Sequence, residues 1–365
     1  MSTRSVSLLS ALALAATLSS SAALAASPDP VAKTLAGLAD NTSGVANEDG
    51  EQKLLDSFAK TAKEKWGKYW KQIGGPMAKW AAVELPHTAG ETIFYPFAGP
   101  DLPTAVQLYP NAGHYILVAL QTGGRVPNLA DFKKPELESY IGIFKRAWID
   151  FARRGFFRTD DLKADTGKGK SLEGITPVLM AFASALGYRV DAVEPIRIKA
   201  DGSDVEVHPG PKDEVATWDS VRLTLDKNGT KVLVDYLWLD LSDDYLKKHT
   251  DAKTWLTKVA SNKVFTKAAS HLMQKPFFSI MRDTLLKFSP SVVQDETGLD
   301  YKDLSKAFDV TLYGRFERAH KLWTEGVQRE LATAYKERKD VRKLSFKFGY
   351  EKDAGSCVQV AVRKH

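Results

Sequence analysis

The chain has 365 residues, of which 44% are hydrophobic, and is therefore long enough for one large domain or two ordinary ones. Its 51 basic and 45 acidic residues give a net charge of +6. This surplus is spread along the chain without the dense basic tract of a nucleic-acid-binding protein, so that class is excluded. Cys357 is the only cysteine, which excludes an intramolecular disulfide and leaves stability to the hydrophobic core.

The first 25 residues have the pattern of a bacterial export signal. Arg4 precedes the apolar run SLLSALALAATL, and Ala23-Leu24-Ala25 matches a signal cleavage site. The run is shorter than the roughly 20 residues that a membrane-spanning helix needs, and no cysteine follows the site to carry a lipid anchor. We therefore expect cleavage near Ala25 and a soluble periplasmic or secreted protein with no stable membrane span.

Two segments come between this signal and the expected main domain. Residues 26–50 are small and polar, which predicts a flexible lead-in, and residues 51–85 are predicted to be helical. The first helix is expected to stop at Gly74-Gly75-Pro76. Its apolar residues recur at helical spacing and are expected to pack on the domain behind: Leu54, Leu55, Phe58, Ala62, Trp66, Tyr69, Trp70 and Ile73.

The stretch TIFYPFAGPDLPTAVQLYPNAGHYILVALQ, residues 92–121, predicts a buried strand, a glycine turn, a short helix and a second buried strand. The turn is Gly99-Pro100-Asp101, and the helix is expected to start at Leu102. Strand-to-helix turns of this kind form the ligand crevices of open α/β sheets.

The middle of the chain combines helices with a hairpin. An apolar helical stripe from Leu137 to Phe151 is closed by Gly155, and a second helix runs from Leu172 to Gly187. It leads into the strand YRVDAVEPIRI, an order typical of a crossover to a parallel strand.

A β-hairpin is predicted near 219–241, with Asn228-Gly229 as its two-residue turn. Counting back from the turn predicts the register on both faces. The expected pairs are Leu225 with Val232, Leu223 with Val234, Val221 with Tyr236, and Arg222 with Asp235 on the other face.

The last third is predicted to mix helices and short strands. Helices are expected at 243–260 and from Phe265 to Phe288 with a break at Pro276, then strands in SPSVVQDETG and AFDVTLYGRF and an amphipathic helix in RAHKLWTEGVQRELATAYKER. Alternating apolar residues at 344–350 and 358–362 predict a C-terminal β-hairpin. The fold class is therefore α/β, with a mixed, mainly parallel sheet and helices on both faces, in a single domain from about 86 to 365.

Standard catalytic motifs do not occur in the chain. It lacks a G-x-S-x-G elbow, a phosphate-binding P-loop and a G-x-G-x-x-G turn, and its seven histidines are scattered without metal-ligand spacing. Cys357 lies on an alternating strand, which favours a buried, inert thiol. We expect no cofactor and no metal.

Three predicted strand ends carry polar groups that suit a binding site. In the first, Gly99 makes the turn and Asp101 either only caps the helix or also binds a sugar hydroxyl, an amine or a cation. A capping carboxylate occupies the free N–H groups, so this turn is a poor phosphate site. Whether Asp101 is a cap or a ligand stays open at this point.

The other two strand ends are Asp295-Glu296 and Tyr313-Gly314-Arg315. Adjacent residues on a strand point to opposite faces, so at most one of the two carboxylates is expected to enter a crevice, as a general acid or base or as part of a cation site. Arg315 either binds a carboxylate or phosphate or pairs with an acid of the protein. His271 and Arg282, on the predicted helix between these stretches, are candidates to complete the site.

The chain resembles an uncharacterised family of exported bacterial proteins. The similar stretches are FYPFAGPD, YILVAL, GITPVLMAFASALGYRVDAVEPIRIKADG, VVQDETG, DVTLYGRF and SFKFGY, between about residues 92 and 350. The chain departs from the family at two places. Where the family usually has an acidic residue followed by Pro, this chain has Gln121-Thr122. Where the family has a recurring LMH-like helix, this chain reads His271-Leu272-Met273-Gln274. The resemblance implies one continuous domain and no assigned activity.

Several functions remain open from the sequence. The favoured hypothesis is binding of a small polar or glycan ligand at the strand-end crevice; whether the protein is an enzyme stays open. The alternatives are an envelope-directed hydrolase with a carboxylate general base, a scaffold that docks an envelope protein through Trp66, Trp70 and Trp80, and a methyltransferase-like nucleotide-cofactor fold. A methyltransferase-like fold is expected to have an acidic residue at the end of the second strand, but this chain has Gln121 at that position.

Overall fold

A mixed β-sheet is the centre of the protein. The computed structural model describes residues 27–38, 49–85, 89–155, 172–267, 272–318, 328–349 and 356–365. Within these ranges the strands are β1 Thr92–Tyr95, β2 His114–Ala119, β3 Arg189–Ile198, β4 Val205–Val207, β5 Val221–Lys227, β6 Thr230–Trp238, β7 Lys263–Thr266, β8 Ser291–Gln294, β9 Phe308–Gly314 and β10 Cys357–Arg363.

The strand order is β4-β3-β5-β6-β2-β1-β7-β8-β10-β9. The five central strands, β6, β2, β1, β7 and β8, pair in parallel. The strands outside this block pair in antiparallel. The central parallel block is the part of the sheet whose strand ends form a ligand crevice in α/β folds.

Helices cover both faces of the sheet. They are α1 Asp29–Ala36, α2 Asp49–Tyr69, α3 Gly75–Glu84, α4 Leu102–Leu108, α5 Lys134–Arg154, α6 Thr176–Ala185, α7 Asp243–Lys248, α8 Thr250–Val259, α9 Ser279–Phe288, α10 Tyr301–Ala307 and α11 Arg329–Glu337. Alternate strand residues enter two cores, because side chains alternate along a strand. Ile93 and Tyr95 pack with α1–α6, whereas Phe94 packs with α7–α10. The predicted α/β class, with a mixed sheet and helices on both faces, is confirmed.

The predicted hairpin is confirmed in its register. β5 and β6 pair Leu225 with Val232 and Arg222 with Asp235, as counted from the turn. Asn228 and Gly229 both have positive φ, 55° and 84°, as the two central residues of a type I′ turn require. Arg222 donates to both oxygens of Asp235, at 2.6 and 2.7 Å.

The predicted helix stop at Gly74-Gly75-Pro76 is wrong. α2 continues through a π-helical turn, Trp70–Gly74, directly into α3. A Cβ on Gly74 would lie 2.7 Å from Gln107 Oε1 and 2.9 Å from Tyr69 Cε1. Gly74 therefore serves close packing of this turn against α4 rather than termination, and Pro76 is tolerated in the first turn of α3.

The prediction of a flexible lead-in over residues 26–50 is wrong for its described part. α1 packs on α6, with Ala32 and Leu35 fully buried. Asp29 Oδ1 accepts from the Val190 amide at 3.0 Å, and Trp148 Nε1 donates to the Leu35 carbonyl at 3.1 Å. Residues 39–48 lie outside the described ranges.

Two predicted connections differ in detail. β3 runs in the same direction as the central strands, but its sheet neighbours, β4 and β5, are both antiparallel to it. The C-terminal antiparallel pair is present, and the partner of β10 is β9. Residues 344–349, predicted as the other half of that hairpin, lie outside any strand.

The helix predicted from Phe265 to Phe288 is replaced at its start by the strand β7, which lies between β1 and β8. A short apolar run that is buried on both faces has no period that separates strand from helix. None of the helices found in the described ranges combines the length and the apolar character that a membrane span requires.

Candidate ligand site at the carboxyl edge of the sheet

The predicted site residues meet at one edge of the sheet. β1, β7 and β8 are parallel neighbours, so the residues that follow them lie side by side. β9 is antiparallel to β10, which is antiparallel to β8, so β9 also ends at this edge. The residues that follow these strands therefore share the carboxyl edge of the sheet. They are the turn at Gly99-Asp101, Lys267, Asp295-Glu296 and Arg315.

Asp101 lies at the N-cap position of α4 and is 3% exposed. Its Oδ1 accepts from the Thr104 hydroxyl at 2.7 Å, its Oδ2 accepts from the Tyr95 hydroxyl at 3.0 Å, and Lys267 Nζ lies 3.7 Å from Oδ2. Burial raises the pKa of Asp101, and the charge of Lys267 offsets this in part. Gly99 has φ +53° and supplies the left-handed turn. Asp101 is therefore part of a buried polar network.

Lys267 follows β7 and is the buried cation of this edge, 5% exposed. Its Nζ donates to the Gly155 carbonyl at 3.1 Å and lies 5.3 Å from the centre of the Phe348 ring. Its charge lowers the pKa of both Asp101 and Asp295 against the effect of burial. Lys267 is not among the residues that the sequence predicts for the site, because the sequence pattern does not predict β7, the buried strand that Lys267 directly follows.

Asp295 and Glu296 are both buried and turn to the same side. A Cβ built on Gly349 would lie 3.2 Å from Asp295 Oδ2 and 3.3 Å from Glu296 Oε2. The opposite orientation that adjacent strand residues would have is not found, because β8 ends at Gln294 and strand alternation no longer applies beyond it. Asp295 Oδ1 accepts from the Thr297 amide at 2.8 Å, and the Cys357 thiol donates to Glu296 Oε2 at 3.2 Å.

Asp295 and Asp101 hold their protons more tightly than carboxylic acids in water do. Burial raises the pKa of Asp295 to about 6, in spite of the hydrogen bonds from Thr297 and the charge of Lys267. Burial, with the charges of Glu296 and Asp295, also raises the pKa of the Cys357 thiol. The thiol is thus a donor to a carboxylate and a poor nucleophile.

Tyr313 and Arg282 have structural partners. The Tyr313 hydroxyl donates to Glu84 Oε2 at 2.8 Å, and burial together with this carboxylate raises the pKa of Tyr313 to about 12. Arg282 donates to the carbonyls of Met273 and Lys275, at 2.6 and 2.5 Å. It braces a short helical turn rather than facing a crevice. His271 lies outside the described residues.

Arg315 and Gly314 line a cavity of about 950 Å³ at the end of β9. Within the described part of the chain, its lining combines four basic residues with apolar and neutral polar groups, and none of these lining residues is a carboxylate. The basic residues are Arg153, Arg315, Lys343 and Lys347. We call this space the basic cavity. Sequence reasoning found Arg315 and missed the other three, because they come from segments far apart in the chain.

The basic cavity adjoins the buried acid cluster, which consists of Asp101, Asp295 and Glu296 with Lys267 beside them. Ile73 in its wall packs on Gly155, whose would-be Cβ lies 3.1 Å from Ile73 Cδ1, and the Gly155 carbonyl binds Lys267. Phe346, also in the wall, has its ring centre 6.0 Å from that of Phe348, which covers Lys267. The cluster therefore supports the floor of the cavity, and its acids do not line it.

The three tryptophans proposed as a docking surface do not form one exposed patch. Trp80 is 8% exposed and packs edge-on against Tyr313 at 5.0 Å. Trp66 packs on Phe151 at 6.5 Å, and only Trp70, 45% exposed, presents much of its ring. Trp66 and Trp70 do share the wall of a smaller cavity of about 350 Å³.

In the part of the chain that the structure describes, no group of three or more His, Cys, Asp or Glu side chains is arranged to hold a metal ion. Comparison of the chain with protein-family models, with curated proteins and with solved structures finds no match in any of the three. The function is therefore argued from the site alone.

Proposed function

We propose that the protein binds a small polar ligand with at least one negative charge in the basic cavity. The observation that carries this proposal is the lining of the cavity, in which four of the described residues are basic and none of the described residues is a carboxylate. Arg153 is paired with Asp150 at 2.6 Å, which offsets part of that charge at one wall. Basic residues that converge on one cavity favour an anionic ligand over a neutral or cationic one.

Position and size support the same proposal. Ligands of α/β folds bind outside the carboxyl ends of the strands, and the basic cavity lies at that edge. Small-molecule sites have volumes of roughly 300–1,000 Å³, and the basic cavity has about 950 Å³. Ser345 and Ser356, also in the lining, offer hydroxyl groups beside the charges.

Binding is favoured over hydrolysis. A general base must come within hydrogen-bond reach of the reacting group or of a water, whereas Asp101, Asp295 and Glu296 are 3%, 1% and 6% exposed and engaged within the protein. These three acids lie behind the wall of the cavity and are not among its lining residues. The ligand would be met outside the cytoplasm, because residues 1–25 have the pattern of an export signal.

A thermal-shift screen of the chain without its signal tests the proposal. Each anionic compound is paired with its neutral analogue, such as a sugar phosphate with the sugar and a dicarboxylate with its diamide. A ligand at about 100 times its Kd adds about 2.7 kcal/mol to the free energy of unfolding. We expect stabilisation by at least one anion and not by its neutral partner. A panel in which no anion raises the melting temperature would contradict the proposal.

The variants Arg315→Gln and Lys343→Gln assign a positive result to the cavity. Each removes one positive charge from the lining and should weaken binding by about tenfold, or about 1.4 kcal/mol. Arg197→Gln is the matched control, because Arg197 is exposed on β3 and lies outside the lining. A stabilising anion that binds all three variants alike would place the site elsewhere.

A further inference from the structure

The smaller cavity of about 350 Å³ that Trp66 and Trp70 line has a different character from the basic cavity. Its described lining comes from α2 and the π-helical turn, from α3 and α4, and from the ends of α6 and β5. We call it the Trp70 cavity. It shares no described residue with the basic cavity, so the two spaces can be tested separately. The apolar residues of its lining are Trp66, Trp70, Ala78, Val106, Pro110, Ala185 and Leu186.

Two residues of the wall leave apolar surface open to solvent. Trp70 is 45% exposed, although tryptophan is highly buried on average. Its ring centre lies 6.4 Å from that of Trp66, so the two indoles form one aromatic wall. Gly67 lies within the helical segment, and a Cβ built on it would meet nothing within 4 Å. A glycine inside a helix is less stable than an alanine, so stability alone does not explain the room that Gly67 leaves.

Lys227 is the one charged residue in the described lining. Its Nζ donates to the Leu186 carbonyl at 2.9 Å and lies 5.0 Å from the centre of the Tyr188 ring. An ammonium group has three N–H donors, so Lys227 can also donate to a ligand. The neighbouring acid Asp226 points to the opposite face of the strand and lies 3.3 Å from Lys231 Nζ. Among the described residues, no carboxylate is ion-paired with Lys227.

An apolar wall with a single cation suits an anionic amphiphile. Burial of an alkyl chain against indole and aliphatic groups is favourable in proportion to the apolar area removed from water. A carboxylate at the end of that chain can accept a charge-assisted hydrogen bond from Lys227. Small-molecule sites have volumes of roughly 300–1,000 Å³. The Trp70 cavity, at about 350 Å³, therefore takes only a short tail.

We propose that the Trp70 cavity binds a carboxylate with a short alkyl tail, such as a medium-chain fatty acid, with the tail on Trp66 and Trp70 and the carboxylate on Lys227. This site is separate from the basic cavity and does not depend on the function proposed for it. The class of ligand follows from the exposed indole wall, the open space at Gly67 and the cation at the end of β5.

The test is isothermal titration of the chain without its signal with acetate, hexanoate, octanoate and decanoate, each below the concentration at which it forms micelles. We expect no measurable binding of acetate, which has the charge without the tail. The affinity should rise about fourfold with each added CH₂ group until the cavity is full, because burial of one CH₂ group contributes a factor of about that size.

Variants assign the binding to this cavity. Gly67→Leu fills the open space and should abolish octanoate binding, and Trp70→Ala should weaken it about tenfold. Trp238→Ala is the matched control, because Trp238 is 48% exposed on β6 and lies outside the lining. Lys227→Gln should weaken octanoate binding about tenfold and leave the binding of 1-octanol, its neutral analogue, unchanged.

The melting temperature without ligand shows that each variant is folded. Gly67→Leu should be at least as stable as the wild type, because it replaces a helical glycine by a good helix former. If it fails to fold, Trp70→Ala and Lys227→Gln decide. Arg315→Gln, in the basic cavity, should bind octanoate like the wild type. No binding of octanoate or decanoate, an affinity that does not rise with tail length, binding unaffected by the cavity variants, or binding lost in Arg315→Gln would overturn the proposal.

Discussion

At the scale of single residues, Lys267 offsets part of the negative charge of the buried acids Asp101 and Asp295. It is 5% exposed, lies 3.7 Å from Asp101 and also lowers the pKa of Asp295. Removing one member of a buried ion pair leaves the other charge without compensation, which costs about 3–5 kcal/mol. The stability of the carboxyl edge therefore depends on a residue that the sequence alone did not single out.

Lys267→Met should lower the free energy of unfolding by about 3–5 kcal/mol at neutral pH, because the carboxylates of Asp101 and Asp295 lose their cation. Urea unfolding measures the loss. Lys302→Met is the control, since Lys302 is exposed on α10 and its substitution should change stability by less than about 0.5 kcal/mol. Equal losses in the two variants would show that Lys267 has no special electrostatic role.

The raised pKa of Asp295 makes the stability of the folded protein depend on pH. Its pKa is about 6 in the folded protein against a usual 3.8, so the folded state binds more protons than the unfolded state between these values. Its contribution to stability is present at pH below about 4 and is lost as the pH rises through about 6, by up to about 3 kcal/mol. Asp295→Asn cannot titrate and should lose less stability across this window.

Urea unfolding of the wild type and of Asp295→Asn at several pH values measures the difference. The amide introduced by Asp295→Asn keeps an oxygen that can accept from Thr297, so the comparison changes mainly the titration. A constant difference in stability from about pH 4 to about pH 7 would contradict a raised pKa at this position.

At the scale of elements, the long N-terminal helical segment shows how glycine acts by packing. Gly74 ends the π-helical turn between α2 and α3, which contacts α4, and Gly75 is the first residue of α3. In the sequence, Gly-Gly-Pro is a typical helix stop. Tertiary contacts prevail over that local preference, because only a glycine leaves room for Gln107 and Tyr69 at this turn.

Two glycines of this segment should respond in opposite ways to alanine. Gly67 is exposed in α2 with open space around its would-be Cβ, so Gly67→Ala should stabilise the protein by about 0.5–1 kcal/mol. Gly74→Ala would place a methyl group 2.7 Å from Gln107 Oε1 and should destabilise it by about 1–3 kcal/mol. Thermal unfolding of both variants measures the signs. Stabilisation by Gly74→Ala would contradict the close packing.

At the scale of the whole molecule, the sequence predicted local elements well and long-range assembly poorly. The register of β5 and β6 follows from Asn228-Gly229, because a two-residue turn determines which residues pair. The sequence does not predict β7, because three of its four residues are buried and the short run has no period. Asp101, Asp295 and Arg315 were placed at strand ends, and these ends do share one edge of the sheet.

The basic cavity itself was beyond sequence reasoning. Its cations come from the end of α5, from the residue after β9 and from the segment at 343–347, which no local pattern brings together. Such sites depend on the complete packing of the fold.

Isothermal titration with the anion that stabilises the protein most is the most direct test of the proposed binding function. The titration compares the wild type, Arg315→Gln and Lys343→Gln with the control Arg197→Gln, at low and at high salt. We predict about tenfold weaker binding in each cavity variant, unchanged binding in the control, and weaker wild-type binding at high salt, because salt screens charges that face solvent. Equal affinity in all four proteins, without a salt dependence, would contradict an anion site in the basic cavity.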